Sequence, residues 1–237
     1  MAKYLTPAQL EERLTEIATR VLRERGDDVL AVIKNGGDWQ AALDSVYAQM
    51  TADLTAEFGP QLAAGVLDSA LAVMEAERVA VDVATLGSRA ATFAEQYSFD
   101  LIKGIEETTR ERLSSAMSAY FQDETMDLKT LGQRVEWLFG GDRGQMIATT
   151  EATRASAQGQ RVLVEELKDE SPNANVAELW QTSEDEIVCD TCGGLNGVAR
   201  EEDGYHHPDG TVYDAPPAHP RCRCGTRIVV LQEGKRG

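Results

Sequence analysis

The first 188 residues of this 237-residue chain contain no cysteine, the whole sequence has only three histidines, and 23 basic residues face 40 acidic ones. Few histidines leave general acid–base catalysis little to draw on near neutral pH. No stretch approaches the roughly 18 to 20 apolar residues of a membrane span, and Met1 to Thr6 is too short and mixed to begin a secretory signal. A Gly-x-Gly-x-x-Gly turn opening a helix, a Walker A loop, a Gly-x-Ser-x-Gly elbow and the His-x-Glu of zinc deaminases are all missing. The shortage of positive charge, a net −17, disfavours wrapping a phosphate backbone. It is also uneven: residues 1–140 hold 13 basic and 23 acidic side chains, residues 141–188 hold 4 and 10, and residues 189–237 hold 6 and 7.

Most of the sequence reads as helix. Thr6-Pro7-Ala8-Gln9 supplies an N-cap hydroxyl, a proline at the first helical position and a glutamine three residues after the cap. Leu10, Leu14, Ile17 and Val21 share a face, and Gly26 is expected to stop that helix. Asp38 is expected to cap a second one, interrupted at Gly59-Pro60. Gln61 to Tyr97 reads as one long or two broken helices, Asp100 to Phe121 continues in kind, and Asp127 and Asp142 are expected to cap two more. After Ser171-Pro172-Asn173 short strand-like pieces take over at Ala177–Thr182, Gly197–Arg200 and Thr226–Leu231. The expected organisation is a mainly α chain: a helical body over residues 1–140, a connecting helix over 141–172, and a small α+β module over 173–237 with too little core of its own.

All four cysteines lie in that module, as Cys189-x-x-Cys192 and Cys222-x-Cys224. Two close thiol pairs can enclose a tetrahedral ion, so the spacing points to a structural zinc knuckle. Each pair is too close for an easy local disulfide. His219 stands three residues before Cys222, so four thiolates, or Cys189, Cys192, His219 and Cys224, are both reachable ligand sets. His206-His207 precedes an exposed Pro-Asp-Gly turn and reads as surface histidine. Trp180 reads as core beside a strand, and Glu151 and Arg154 as an i,i+3 pair or a bridge to the knuckle.

Four segments in order, Met146-Ile147-Ala148-Thr149-Thr150-Glu151, Trp180-Gln181-Thr182-Ser183 with Asp185, Cys189 to Gly197, and Pro216-Pro217-Ala218-His219-Pro220-Arg221-Cys222-Arg223-Cys224, resemble the phage Mu protein F-like family. These are the minor head or head morphogenesis proteins of tailed phages. Thr149 stands where the family pattern usually has an arginine. The resemblance marks Thr150, Glu151, Trp180, Asp185, Pro217 and Pro220 as motif positions. It implies a structural protein of the virion, in few copies inside the capsid during and after assembly in the host cytoplasm. Its implied partners are the portal protein, other capsid components, packaged DNA and further copies of itself, with no membrane. Arg221, Arg223, Arg227, Lys235 and Arg236 form the one basic cluster, with Arg221 and Arg223 the candidate nucleic-acid contacts. The competing reading is a zinc-knuckle nuclease of the ββα-metal type with a histidine base, but residues 205–224 look turn-like, and an ion held by four thiolates has no open position to activate water.

Overall fold

A computed structural model describes residues 4–35, 39–123, 125–172, 175–183 and 188–231. Asp38, Asp185, Lys235 and Arg236 lie outside the described residues. Five helices, α1 (Pro7–Asn35), α2 (Trp39–Ala76), α3 (Val83–Gln122), α4 (Leu128–Phe139) and α5 (Gly141–Glu170), precede β1 (Asn175–Gln181), the short α6 (Asp190–Leu195), β2 (Tyr205–His206), β3 (Val212–Tyr213) and β4 (Gly225–Leu231). The chain is thus mainly helical with a small strand-bearing region near its C-terminus. Among the described residues no helix is long and apolar enough to cross a membrane.

Two compact units form from discontinuous stretches. One comprises Glu12–Gln61 and Glu95–Ala148. Its buried residues include Leu14, Val21, Leu22, Met50, Leu54, Phe58, Ile102, Leu113, Val135 and Phe139, recurring at three- and four-residue spacing along the helices. Gly26 does not stop α1. A Cβ there would lie 2.7 Å from Phe139 Cβ, so the glycine serves close packing inside a continuing helix. Pro60 does not interrupt α2 either. Phe58 and Leu62 on either side are fully buried, and that burial offsets the roughly 3 kcal/mol a proline costs a helix interior. Asp127 caps α4 as expected, accepting from Thr130 N at 2.8 Å. Asp142 is no cap: α5 begins at Gly141, which puts this carboxylate in the first turn.

The other unit comprises Met1–Glu11, Leu62–Ala94 and Thr149–Gly237. Thr6 and Gln9 form a reciprocal capping box, Thr6 N donating to Gln9 Oε1 at 3.0 Å and Gln9 N to Thr6 Oγ1 at 3.3 Å. The helical run from Gln61 is broken after Ala76. Arg78 adopts φ 53, and Asp82 opens α3 by accepting from Ala84 N and Thr85 Oγ1 at 3.1 and 2.8 Å. Strands β1 and β4 pair antiparallel from Asn175↔Leu231 to Gln181↔Gly225. The expected strand at 197–200 reduces to one bridge, Leu179↔Ala199, because Gly197 turns the chain at φ 79. Conversely, the turn-like stretch after Tyr205 contains the β2–β3 hairpin, Tyr205 opposite Tyr213. Trp180, Leu195, Tyr205, Cys192, Cys222 and Cys224 form one buried cluster within this unit.

Candidate metal centre

Cys189 and Cys192 are fixed by α6. Cys189 is its N-cap, and its sulfur accepts from Cys192 N at 3.4 Å, which puts the two thiols three residues apart on one tight turn. Across from them runs the Pro216–Cys224 loop, with a cis peptide between Pro216 and Pro217 and Arg221 at φ 62. Cys222 N donates to His219 O at 3.1 Å, closing the turn that returns both donors to the same side. Helix α5 holds this loop through two hydroxyls one turn apart. Thr150 Oγ1 accepts from Arg221 N at 3.0 Å, and Thr153 Oγ1 donates to Cys222 O at 2.8 Å.

The donors converge. His219 Nε2 lies 3.2 Å from the sulfurs of both Cys189 and Cys192, and Cys192 Sγ lies 3.8 Å from Cys222 Sγ. Two overlapping triads result, Cys189–Cys192–His219 and Cys192–Cys222–Cys224, each with all donor atoms within 4.8 Å of one another. A tetrahedral zinc ion with Zn–S about 2.3 Å and Zn–N about 2.0 Å has S···S edges of about 3.8 Å and S···N edges of about 3.5 Å. The spacings around Cys192 are compatible with such edges, although among the described residues no four of these donors all lie within 4.8 Å of one another, and all four thiols are free.

Burial and hydrogen bonding divide the thiols. Burial pushes Cys192 up to about 12. The Cys224 thiol, hydrogen-bonded to Cys222, holds Cys222 down to about 5, and Cys224 itself is raised by the same bond. Cys189, served by the Cys192 N–H, is lowered. His219 is raised by its bond to the Pro220 carbonyl. A cluster that already stabilises thiolate at buried Cys222 and exposed Cys189 is prepared for a cation.

The remaining sequence-marked residues fall in place around this centre. Trp180 is fully buried core, its ring 5.2 Å from Tyr205 in an edge-on arrangement. Glu151 is only 4% exposed and lies 3.5 Å from Arg154 Nε, the i,i+3 contact its spacing predicts. Thr149, at the position expected to carry arginine, donates to Glu11 Oε1 at 2.7 Å. Pro217 and Pro220 shape the donor loop, and Pro220 O accepts from His219 Nδ1 at 2.8 Å. Arg221 and Arg223 are exposed. His206 is exposed beside Asp203 at 2.8 Å, whereas His207 is largely buried, packed against Gly194 and bound to Asp209, which corrects its reading as surface histidine. Neither joins the sulfur cluster.

Two features escaped sequence reasoning. Thr153, three residues beyond Thr150, is the second half of the α5 clamp. Tyr205 donates to the buried Glu178 Oε1 at 2.9 Å, giving the module a polar pair beside Trp180.

The family description "Phage Mu protein F like protein" matches residues 100–227, just over half of the chain. The chain belongs to this family. The matched span takes in α5, β1, both cysteine pairs and His219. Membership points to a phage head morphogenesis or structural protein, associated with other capsid components in the virion. No curated protein and no solved structure matches the chain.

Proposed function

We propose that this protein is a structural minor head protein of a tailed phage, portal-associated inside the head and aiding DNA packaging or ejection, whose C-terminal module is closed by a zinc ion. The observation that carries the metal reading is the orientation of His219. The Pro220 carbonyl can only accept, so Nδ1 carries the proton and donates at 2.8 Å. In the neutral ring that leaves the Nε2 lone pair facing the Cys189 and Cys192 sulfurs, the arrangement a metal-ligating imidazole adopts. Cys189, Cys192 and His219 then supply three ligands and Cys224 the fourth, with Cys222 beside it in the triad that shares Cys192. The Cys192–Cys222–Cys224 triad favours a second set of four thiolates. Either set leaves no open position, so the ion staples and does not catalyse.

Cobalt substitution separates the two sets, because ligand-field band positions differ between three sulfurs with one nitrogen and four sulfurs. A His219→Ala change that leaves the spectrum untouched would favour four thiolates. Less than about half an equivalent of zinc in protein purified without chelator would sink the metal reading. Cys192→Ser should expose residues 175–231 to protease while α1 to α4 stay resistant. For the head assignment, co-purification with the portal protein encoded by the same genome is the test, and reconstituted heads that incorporate portal normally without this chain bound to it would refute it. Arg221 and Arg223 are the proposed DNA contacts, and DNA binding indifferent both to salt and to their replacement would remove that role.

A further inference from the structure

Within the unit formed by Glu12–Gln61 and Glu95–Ala148, α3 and α4 enclose a groove of about 470 Å³. Its floor includes Ala116 and Leu138, and its walls carry Arg112, Arg134 and Trp137. Trp137 is 61% exposed, the most exposed large apolar side chain among the described residues, and Arg112 lies over its ring with 5.1 Å from guanidinium carbon to ring centroid. Tryptophan and arginine are the side chains that most often dominate binding energy at protein interfaces.

The charge around this groove is the reverse of the chain's. Among the described residues no carboxylate lines it. Arg143 is buried nearby, donating to Thr109 Oγ1 and Leu138 O at 2.8 Å and to Ile105 O at 3.3 Å, all neutral acceptors, and no carboxylate pairs with it among the described residues. Its guanidinium feels Arg112. Asp123 feels Arg134, but its carboxylate is engaged by Thr125 N and Oγ1 at 2.9 and 2.6 Å. A positive, aromatic-walled, apolar-floored groove thus sits on a chain of net charge −17.

We propose that this groove docks an acidic amphipathic helix of a partner protein, its apolar face on Trp137 and Leu138 and its flanking carboxylates on Arg112 and Arg134. The shape suits helix-in-groove recognition, in which apolar residues at i, i+3, i+4 and i+7 fill a trough. An apolar floor rewards leucine-like anchors and offers nothing to a sugar–phosphate chain, while the chain's overall negative field repels nucleic acid.

The test is fluorescence anisotropy with three labelled probes of about 18 units: a peptide with leucine on one helical face and glutamate on the other, the same peptide with lysine for glutamate, and oligothymidine. The expected result is at least about tenfold tighter binding of the acidic peptide than of its lysine counterpart, weakened about tenfold or more by Trp137→Ala and by Arg112→Glu with Arg134→Glu. These side chains line an open groove, and circular dichroism checks that each variant keeps its helix content. Equal binding of the two peptides, or indifference to all three substitutions, overturns the proposal. So does tighter binding of oligothymidine through the same residues, which would mark a nucleic-acid surface. Concentration-dependent dimerisation abolished by Trp137→Ala would also overturn it, assigning the groove to a second copy.

Discussion

Gly159→Ala should destabilise this protein even though alanine is the better helix former. Gly159 lies mid-way along α5, where its missing side chain lets α5 approach α2 backbone to backbone. A Cβ placed there would fall inside contact with the Val66 carbonyl oxygen, 2.8 Å from Ser69 Cβ and 3.1 Å from Ala70 N. An independent bond fixes the same approach, Ser69 Oγ donating to Ser156 O at 2.9 Å. Overpacking costs about 1 to 3 kcal/mol, and the obstacles here are mostly backbone, which cannot swing aside, so the upper figure applies. Alanine returns about 1 kcal/mol of helix propensity, leaving a net loss of about 2 kcal/mol. For a chain of this size that lowers Tm by about 4 to 8 °C. The control is Gly87→Ala in α3, where a Cβ meets nothing within 4 Å and the propensity gain stands alone. Thermal denaturation followed by circular dichroism should move the two variants in opposite directions. If Gly159→Ala raises Tm as Gly87→Ala does, the α2–α5 approach is wrong.

Two further outcomes follow from buried polar groups. Tyr205→Phe removes the donor to Glu178 Oε1 and leaves a buried carboxylate short of a partner, which should cost about 1 to 3 kcal/mol and appear as a lower urea midpoint. Arg143→Ala deletes three hydrogen bonds that tie α5 to Leu138 O of α4 and to Ile105 and Thr109 of α3. It should cost about 2 to 3 kcal/mol by thermal melting, and a neutral result would mean that relief from burying the charge balances those bonds.

What the sequence made legible was local or periodic. The Thr6–Gln9 box and the Asp127 cap depend on residues three apart and stand as read. The cysteines and His219 stood out because they are residue types that bind metals at short spacing, and the structure brings them into two close triads. Gly26 and Pro60 misled because the signals that end a helix also occur where a helix is packed too well to end. Gly26 faces Phe139, far along the chain, and nothing near it in sequence announces that neighbour. The Thr153–Cys222 bond was invisible for the same reason: threonine within a helix looks the same whether its hydroxyl returns to its own turn or crosses to another loop. His207 was misjudged because polarity predicts exposure, and tertiary packing overrode it there.

The chain order of the two compact units has a consequence for synthesis. Residues 12–148 contain both stretches of the Glu12–Gln61/Glu95–Ala148 unit, so it can close before β4 has been made. The other unit draws on stretches that precede, interrupt and follow that one in the chain, and β1 has its sevenfold register only against residues 225–231. Strand β1 must therefore wait, without that partner, until residues 225–231 have been made. A premature stop just before Gly225 would leave all four sulfurs and His219 present yet β1 an open edge, a product prone to pairing with other chains and not merely a shortened protein.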